Sequence, residues 1–156
     1  MAIENYTLDE KDLSILRILQ KDAKLSVRDI SNKISLSPTP THERIKRMEK
    51  LGIIKEYTTV IDRRKVNKGM MVICMIALNA HNKKTAGHFI EQVSRLKEVV
   101  EFYNISGDFD FMLKILAPDM EKFHEFFVNT LSEIEGIGQT KSIFVMNSIK
   151  ESVQIL

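Results

Sequence analysis

LSPTPTHERIKRMEKLG, residues 36–52, is the stretch whose reading decides the fold. Ser37 is placed to cap a helix, and Pro38 and Pro40 fall in its first turn, where a missing backbone N–H costs little because those donors have no intrahelical partner. Gly52, directly after Leu51, supplies a stop. At helical spacing Thr41, Ile45 and Met48 share one face, while Thr39, Glu43, Lys46, Arg47 and Lys50 point the other way. A short helix with an apolar back and a mostly basic front, preceded by another short helix, is a candidate for insertion into a DNA major groove.

Upstream, Thr7-Leu8-Asp9-Glu10 matches a capping box, with Thr7 capping and Glu10 reaching back. Leu8, Leu13, Ile15, Leu16 and Leu19 form a broad stripe, so a first helix is expected to about Asp22. Ser26 to Asp29 opens a second helix in the same way, with Val27, Ile30 and Ile34 inward and a tight turn at Ser35-Leu36. Three helices, the last two joined by a three- or four-residue turn, read as a helix-turn-helix unit. A generic helical bundle would explain the stripes but not the basic front of the third helix.

Downstream the character changes. Ile53 to Ile61 is rich in β-branched residues and reads as a strand; Asp62 to Gly69 is polar and basic and reads as a linker. Arg63-Arg64-Lys65 suits phosphate contact or a solvated linker equally well. Then come strand, helix, strand, strand, helix, strand. The strands are expected over Met71–Asn79, Val99–Ile105, Asp110–Leu116 and Thr140–Asn147. The helices are striped by Ala86, Phe89, Ile90, Val93 and Leu96, and by Met120, Phe123, Phe127, Leu131 and Ile134. This βαββαβ order implies a four-stranded antiparallel sheet with both helices on one face. The first strand is nevertheless apolar on both faces, Val72-Cys74-Ile76-Leu78 and Met71-Ile73-Met75-Ala77. Leaving the second face open would expose a large apolar patch, so a homodimer through this sheet is expected. Its two-fold axis would let paired recognition helices read two half-sites.

The charge follows the same division. Of 156 residues, 1–69 carry 15 Lys/Arg against 10 Asp/Glu (+5), and 70–156 carry 8 against 11 (−3). Only the first part suits a polyanion. Cys74, the single cysteine, reads as a small core residue rather than a reactive thiol, and no internal disulfide is possible. No leader sequence is visible, and the longest apolar run, Met70 to Leu78, is about half a membrane span. A soluble, cytoplasmic and nucleoid-associated protein is expected, with no membrane partner.

No catalytic, metal-binding or phosphate-loop spacing occurs, and no cofactor is expected. His42, His81, His88 and His124 are scattered, as surface histidines are. Asp108-Phe109-Asp110 admits three readings: two carboxylates for a hard cation, a Gly107-Asp108 turn with local hydrogen bonds, or a site for a zwitterion's charged ends. An RNA-binding sheet would need exposed aromatics and basic residues on its central strands, and Phe111 to Ile115 in a net acidic half does not supply them.

Leu36-Ser37-Pro38-Thr39-Pro40, Glu43-Arg44-Ile45, Leu51-Gly52-Ile53-Ile54 and Ser106-Gly107-Asp108-Phe109-Asp110 together resemble the Lrp/AsnC (feast/famine) transcriptional regulators over almost the whole chain, closest to the leucine-responsive branch. The resemblance implies an α+β protein. An N-terminal winged helix-turn-helix domain (1–52) is joined by a hinge strand and linker (53–69) to a C-terminal ferredoxin-like domain (70–156) for effector binding and oligomerisation. It further implies dimers that assemble onward, often to octamers, with an amino-acid effector between neighbouring dimers. Gly107, Asp108 and Asp110 are the effector candidates carried over, with Thr140 and Ser142 at the opening of the last strand as weaker ones.

The expected function is a sequence-specific regulator binding double-stranded DNA. Arg28, Arg44, Lys46 and Arg47 would serve phosphates. Thr39, His42 and Glu43 would lie near base edges, beside the capping Ser37, with Arg47 suited to both roles. Glu43 could equally serve Arg47 through an i,i+4 pair. Two competitors stand beside this reading. One is an enzyme resembling sirohaem decarboxylases on the same fold; the other is an amino-acid sensor acting on a protein partner.

Overall fold

The computed structural model describes residues 6–80, 82–152 and 154–156; His81 and residues 1–5 of the N-terminus considered above lie outside them. The chain forms two compact units, residues up to 59 with those of 150–156, and residues 60–149.

The first unit holds α1 (Glu10–Lys21), α2 (Val27–Ile34) and α3 (Pro38–Lys50). Its core is Ile15, Leu16, Ile30, Ile34, Ile45 and Met48, with Val27, Leu8, Leu19, Ile53 and Ile54 packed at the edge. Helix α1 is capped by Asp9 rather than Thr7: Asp9 accepts from the Asp12 N–H, and Asp12 accepts from the Asp9 N–H. Both frames offer a box spacing. The later one prevails because Asp12 is buried and also receives the Tyr6 hydroxyl and Arg44. The α2 box of Ser26 and Asp29 forms as expected. Ser35 turns the chain at φ 54°, and Lys11 Nζ caps the α2 carbonyl of Ile34 at 2.6 Å.

Ser37 is the N-cap residue of α3, but its hydroxyl makes no capping bond. Pro40 stands third in the helix and has no N–H to offer, so Thr41 instead bonds back to the Ser37 carbonyl through both its N–H and its hydroxyl. At the other end Gly52, at φ 70°, closes a Schellman motif: its N–H reaches Glu49 and that of Ile53 reaches Met48.

The strand expected over Ile53 to Ile61 is absent from the described chain. Val60 and Ile61 are exposed, and Asp62 to Lys68 folds into turns. β-branched residues favour a strand only where a sheet receives them, and this helical unit has none.

The second unit contains β1 (Met70–Leu78), α4 (Lys83–Val93), β2 (Val99–Asn104), β3 (Phe111–Ala117), α5 (Met120–Phe126) with a π-helical turn (Phe127–Leu131), and β4 (Ile137–Phe144). The sheet is antiparallel in the order β2-β3-β1-β4. Asn82 and Asp119 cap the helices through their side chains. Strand β4 begins three residues before the expected Thr140, because Ile137 pairs with Leu78 across a bulge. Gly138 is a strand residue here, where a Cβ would lie 3.0 Å from the Asn79 backbone, while Gly136 stays in the turn before it at φ 99°.

Val72, Cys74, Ile76 and Leu78 form the core row, packed with Phe89 and Val93 of α4, Phe123 and Phe126 of α5 and Leu131. Phe89, Phe102 and Phe111 stack at its centre. Ile90 and Met120, expected inside, are exposed at the edges of their stripes. The other row of β1 has neither helix against it. By register Met71 lies opposite Leu116, Ile73 opposite Ile143 and Met75 opposite Met112, an apolar strip bordered by Lys114 and Lys141.

Candidate DNA interface and effector site

The buried Thr41, Ile45 and Met48 fix the roll of α3 and leave Thr39, His42, Glu43, Lys46, Arg47 and Lys50 exposed. Arg28 is exposed on α2. The tertiary structure narrows this front at both flanks.

On the α1 flank, Arg44 is withdrawn from solvent. Its Nη1 reaches Asp9 at 2.7 Å and Asp12 at 2.8 Å. The two carboxylates hold the guanidinium more firmly protonated than usual. The amide of Asp12, and then Arg44, keep the Asp9 carboxyl below the ordinary carboxylate range. In this structure the Arg44 donors serve the junction between α1 and α3, not the expected phosphate contact on the solvent-facing front. Nothing in the local sequence signals this, since Asp9 and Arg44 are 35 residues apart.

Arg47, one turn further, lies over the Tyr6 ring at 5.3 Å from its centroid. Among the described residues it has no carboxylate partner, and the Glu43–Arg47 pair is not formed.

On the opposite flank, Lys46 Nζ meets Glu49 at 2.9 Å, and the Tyr57 hydroxyl donates to the other Glu49 oxygen at 2.9 Å. Lys46 and then Tyr57 hold Glu49 below its ordinary value, while burial and then the Glu49 charge push Tyr57 up to about 12. Tyr57 lines, with Leu19, Leu25, His42 and Ile45, a concavity of about 230 Å³. Reading by composition missed Tyr6, Asp12 and Tyr57; only long-range packing reveals them.

In the second unit Gly107 and Asp108 are exposed at the β2–β3 turn, with Gly107 at φ 123°. Asp110 is committed to the backbone. Its carboxylate accepts the Leu78 N–H at 2.7 Å, and its own N–H reaches the Ile76 carbonyl. Of the three readings of Asp108 to Asp110, local hydrogen bonding accounts for Asp110.

Thr140 pairs with the same Ile76 from the other side of β1, so the turn and β4 flank one residue about 10 Å apart. Ser142 lies deeper, opposite Cys74, with its hydroxyl 3.8 Å from the thiol. Burial pushes that thiol up, an inert core cysteine. Among the described residues no cluster of three or more His, Cys, Asp or Glu could hold a metal ion, and no helix is long and apolar enough to cross a membrane.

A three-helix unit with a basic recognition helix, followed by a separate βαββαβ unit, defines a DNA-binding regulator with a ligand domain. Models of known families agree. The Lrp/AsnC ligand binding domain matches residues 71–155, and a winged helix-turn-helix DNA-binding model matches residues 8–55. Transcriptional regulator AzlB of Bacillus subtilis is 36% identical over 148 residues, 95% of this chain and 94% of its own. The crystal structure of an AsnC family transcriptional regulator from Agrobacterium tumefaciens superposes with a TM-score of 0.91 at 38% identity, covering 96% of this chain and 97% of that one. A Neisseria meningitidis transcriptional regulator solved as its L-methionine complex gives 0.90 at 29% identity, covering 94% and 95%. The chain belongs to the Lrp/AsnC family and is a DNA-binding transcriptional regulator.

Proposed function

We propose that this protein is a homodimeric, further assembling regulator in which an amino acid, bound beside the β2–β3 turn, governs how the paired α3 helices engage DNA. The observation that carries the reading is the front of α3, exposed and basic on a helix whose opposite face is fully packed. Thr39, His42 and Glu43 face base edges; Lys46, Arg47 and Arg28 serve phosphates, with Arg47 able to do both. Residues 1–52 bind DNA, 53–69 link, and 70–156 bind effector and assemble.

The half-buried apolar strip of Ile73, Met75, Met112 and Leu116, which no helix of this unit covers, supports assembly through a second copy, and an octamer extends the same logic. Gly107, Asp108 and Thr140 are the effector contacts, with Ser142 behind them. A similar protein crystallised with L-methionine supports an amino acid as the ligand class. The relatives named above are regulators, which favours regulation over catalysis on this fold. A cytoplasmic, nucleoid-associated location follows from DNA as the partner.

The test is DNA footprinting with each of the common L-amino acids, on wild type and on Asp108→Ala. Wild type protects discrete sites and one amino acid changes the pattern; the variant keeps the effector-free pattern and loses the change. A variant that responds as wild type does removes Asp108 from the site.

A further inference from the structure

We infer that Tyr6 is a positioning residue for Arg47, a platform that pre-sets the one flank arginine of α3 whose charge remains available to DNA. The inference rests on the proposed role of Arg47 at the DNA. Two arginines one turn apart on α3 face the start of α1, and the structure treats them differently. Arg44 spends its donors on Asp9 and Asp12. Arg47 instead lies over the Tyr6 ring, its Cζ 5.3 Å from the centroid. A guanidinium placed over a ring keeps its charge uncompensated by any carboxylate, and the N–H donors it does not turn to the Tyr6 oxygen stay available to a base edge or phosphate.

The platform is itself anchored. The Tyr6 hydroxyl donates to Asp12 at 2.5 Å, and Asp12 is buried, receiving the Asp9 N–H at 3.1 Å and Arg44 at 2.8 Å. Burial first, and then the Asp12 contact, push the phenol up, so the hydroxyl stays a donor at any ordinary pH. Tyr6 is thereby tied to the α1 capping box, and its ring has a fixed place beside α3. An arginine held this way gives up less side-chain freedom on reaching DNA than one on a bare helix. The same chain of contacts explains why Asp12, an acidic residue, is tolerated inside the helical core.

The experiment is fluorescence anisotropy on the full chain with two duplexes, one selected by the wild-type protein from a random-sequence pool and one scrambled, across a range of salt. The variants are Tyr6→Leu, Tyr6→Phe, Arg47→Ala and the double Tyr6→Leu/Arg47→Ala, each first melted to set a common folded temperature. Tyr6→Leu is expected to weaken the selected duplex about three- to fivefold, the size of an exposed cation–π contact. Tyr6→Phe keeps the face, loses the Asp12 anchor and falls between. With Arg47 already removed, Tyr6→Leu should cost nothing more. Additive losses would overturn the positioning role while leaving Arg47 at the DNA. Unchanged or tighter binding by Tyr6→Leu would overturn it too. Full affinity in Arg47→Ala would instead remove the DNA role of Arg47, and the platform's purpose with it.

Discussion

Replacing Arg44 by Met separates a structural arginine from a DNA contact. Met keeps an apolar stem of similar reach and deletes both ion pairs. The Asp12 carboxylate it abandons is 1% exposed, and the Arg44 side chain 26%. Asp12 would retain the Tyr6 hydroxyl and the Asp9 N–H, so the loss is one charge-assisted hydrogen bond rather than a fully orphaned ion: about 1.5–3 kcal/mol. The half-exposed Asp9 arm adds nothing to this figure. For a unit of this size, that corresponds to a fall of about 6–24 °C in its melting temperature. Calorimetry of the full chain should show the transition of the helical unit moving down by this amount. The salt dependence of DNA binding, measured below that transition, should keep its slope. A phosphate contact would behave in the opposite way: an unshifted transition with a log–log salt slope smaller by about one. That outcome would refute the assignment of Arg44 to the α1–α3 junction.

Two further predictions follow from carboxylates tied to the backbone. Asp110→Ala leaves the Leu78 N–H without its acceptor and should destabilise the second unit by about 1–3 kcal/mol, with faster hydrogen exchange at that amide; a Leu78 amide as protected as in wild type would contradict this. Asp9 and Asp29 both titrate below the ordinary range, Asp9 mainly through the Asp12 amide and Asp29 mainly through the Ser26 hydroxyl. A depressed folded value contributes stability that is present above the usual carboxylate range and lost as pH falls through and below it, from about pH 4 downward. Asp9→Asn keeps a cap but removes the titrating group, so its melting temperature should fall less steeply than that of wild type between about pH 4 and pH 2.

Much of the architecture is written in local pattern. The tight turn at Ser35-Leu36, the Gly52 stop and the Ser26–Asp29 box depend on residues a few positions apart and form as expected, and so do both domains' apolar stripes except at Ile90 and Met120. The misreadings share a cause. The α1 cap moved from Thr7 to Asp9 because Arg44 and Tyr6 bind the later box. The Ile53–Ile61 strand failed because β propensity needs a receiving sheet. Strand β4 starts at Ile137 and takes in Gly138, where Asn79 leaves little room for a side chain.

For the DNA-facing helix the division is the same. Spacing alone determined which face of α3 is apolar and which is basic, because helical periodicity is a property of neighbours in the chain. Only the tertiary structure decided what each basic residue rests against. Arg44 is drawn to Asp9 and Asp12, Lys46 to Glu49 under Tyr57, and Arg47 onto Tyr6. Those pairings join positions up to 41 residues apart, from Tyr6 to Arg47. A charged group's partner is set by distance in space, which the chain acquires only when α1 packs against α3.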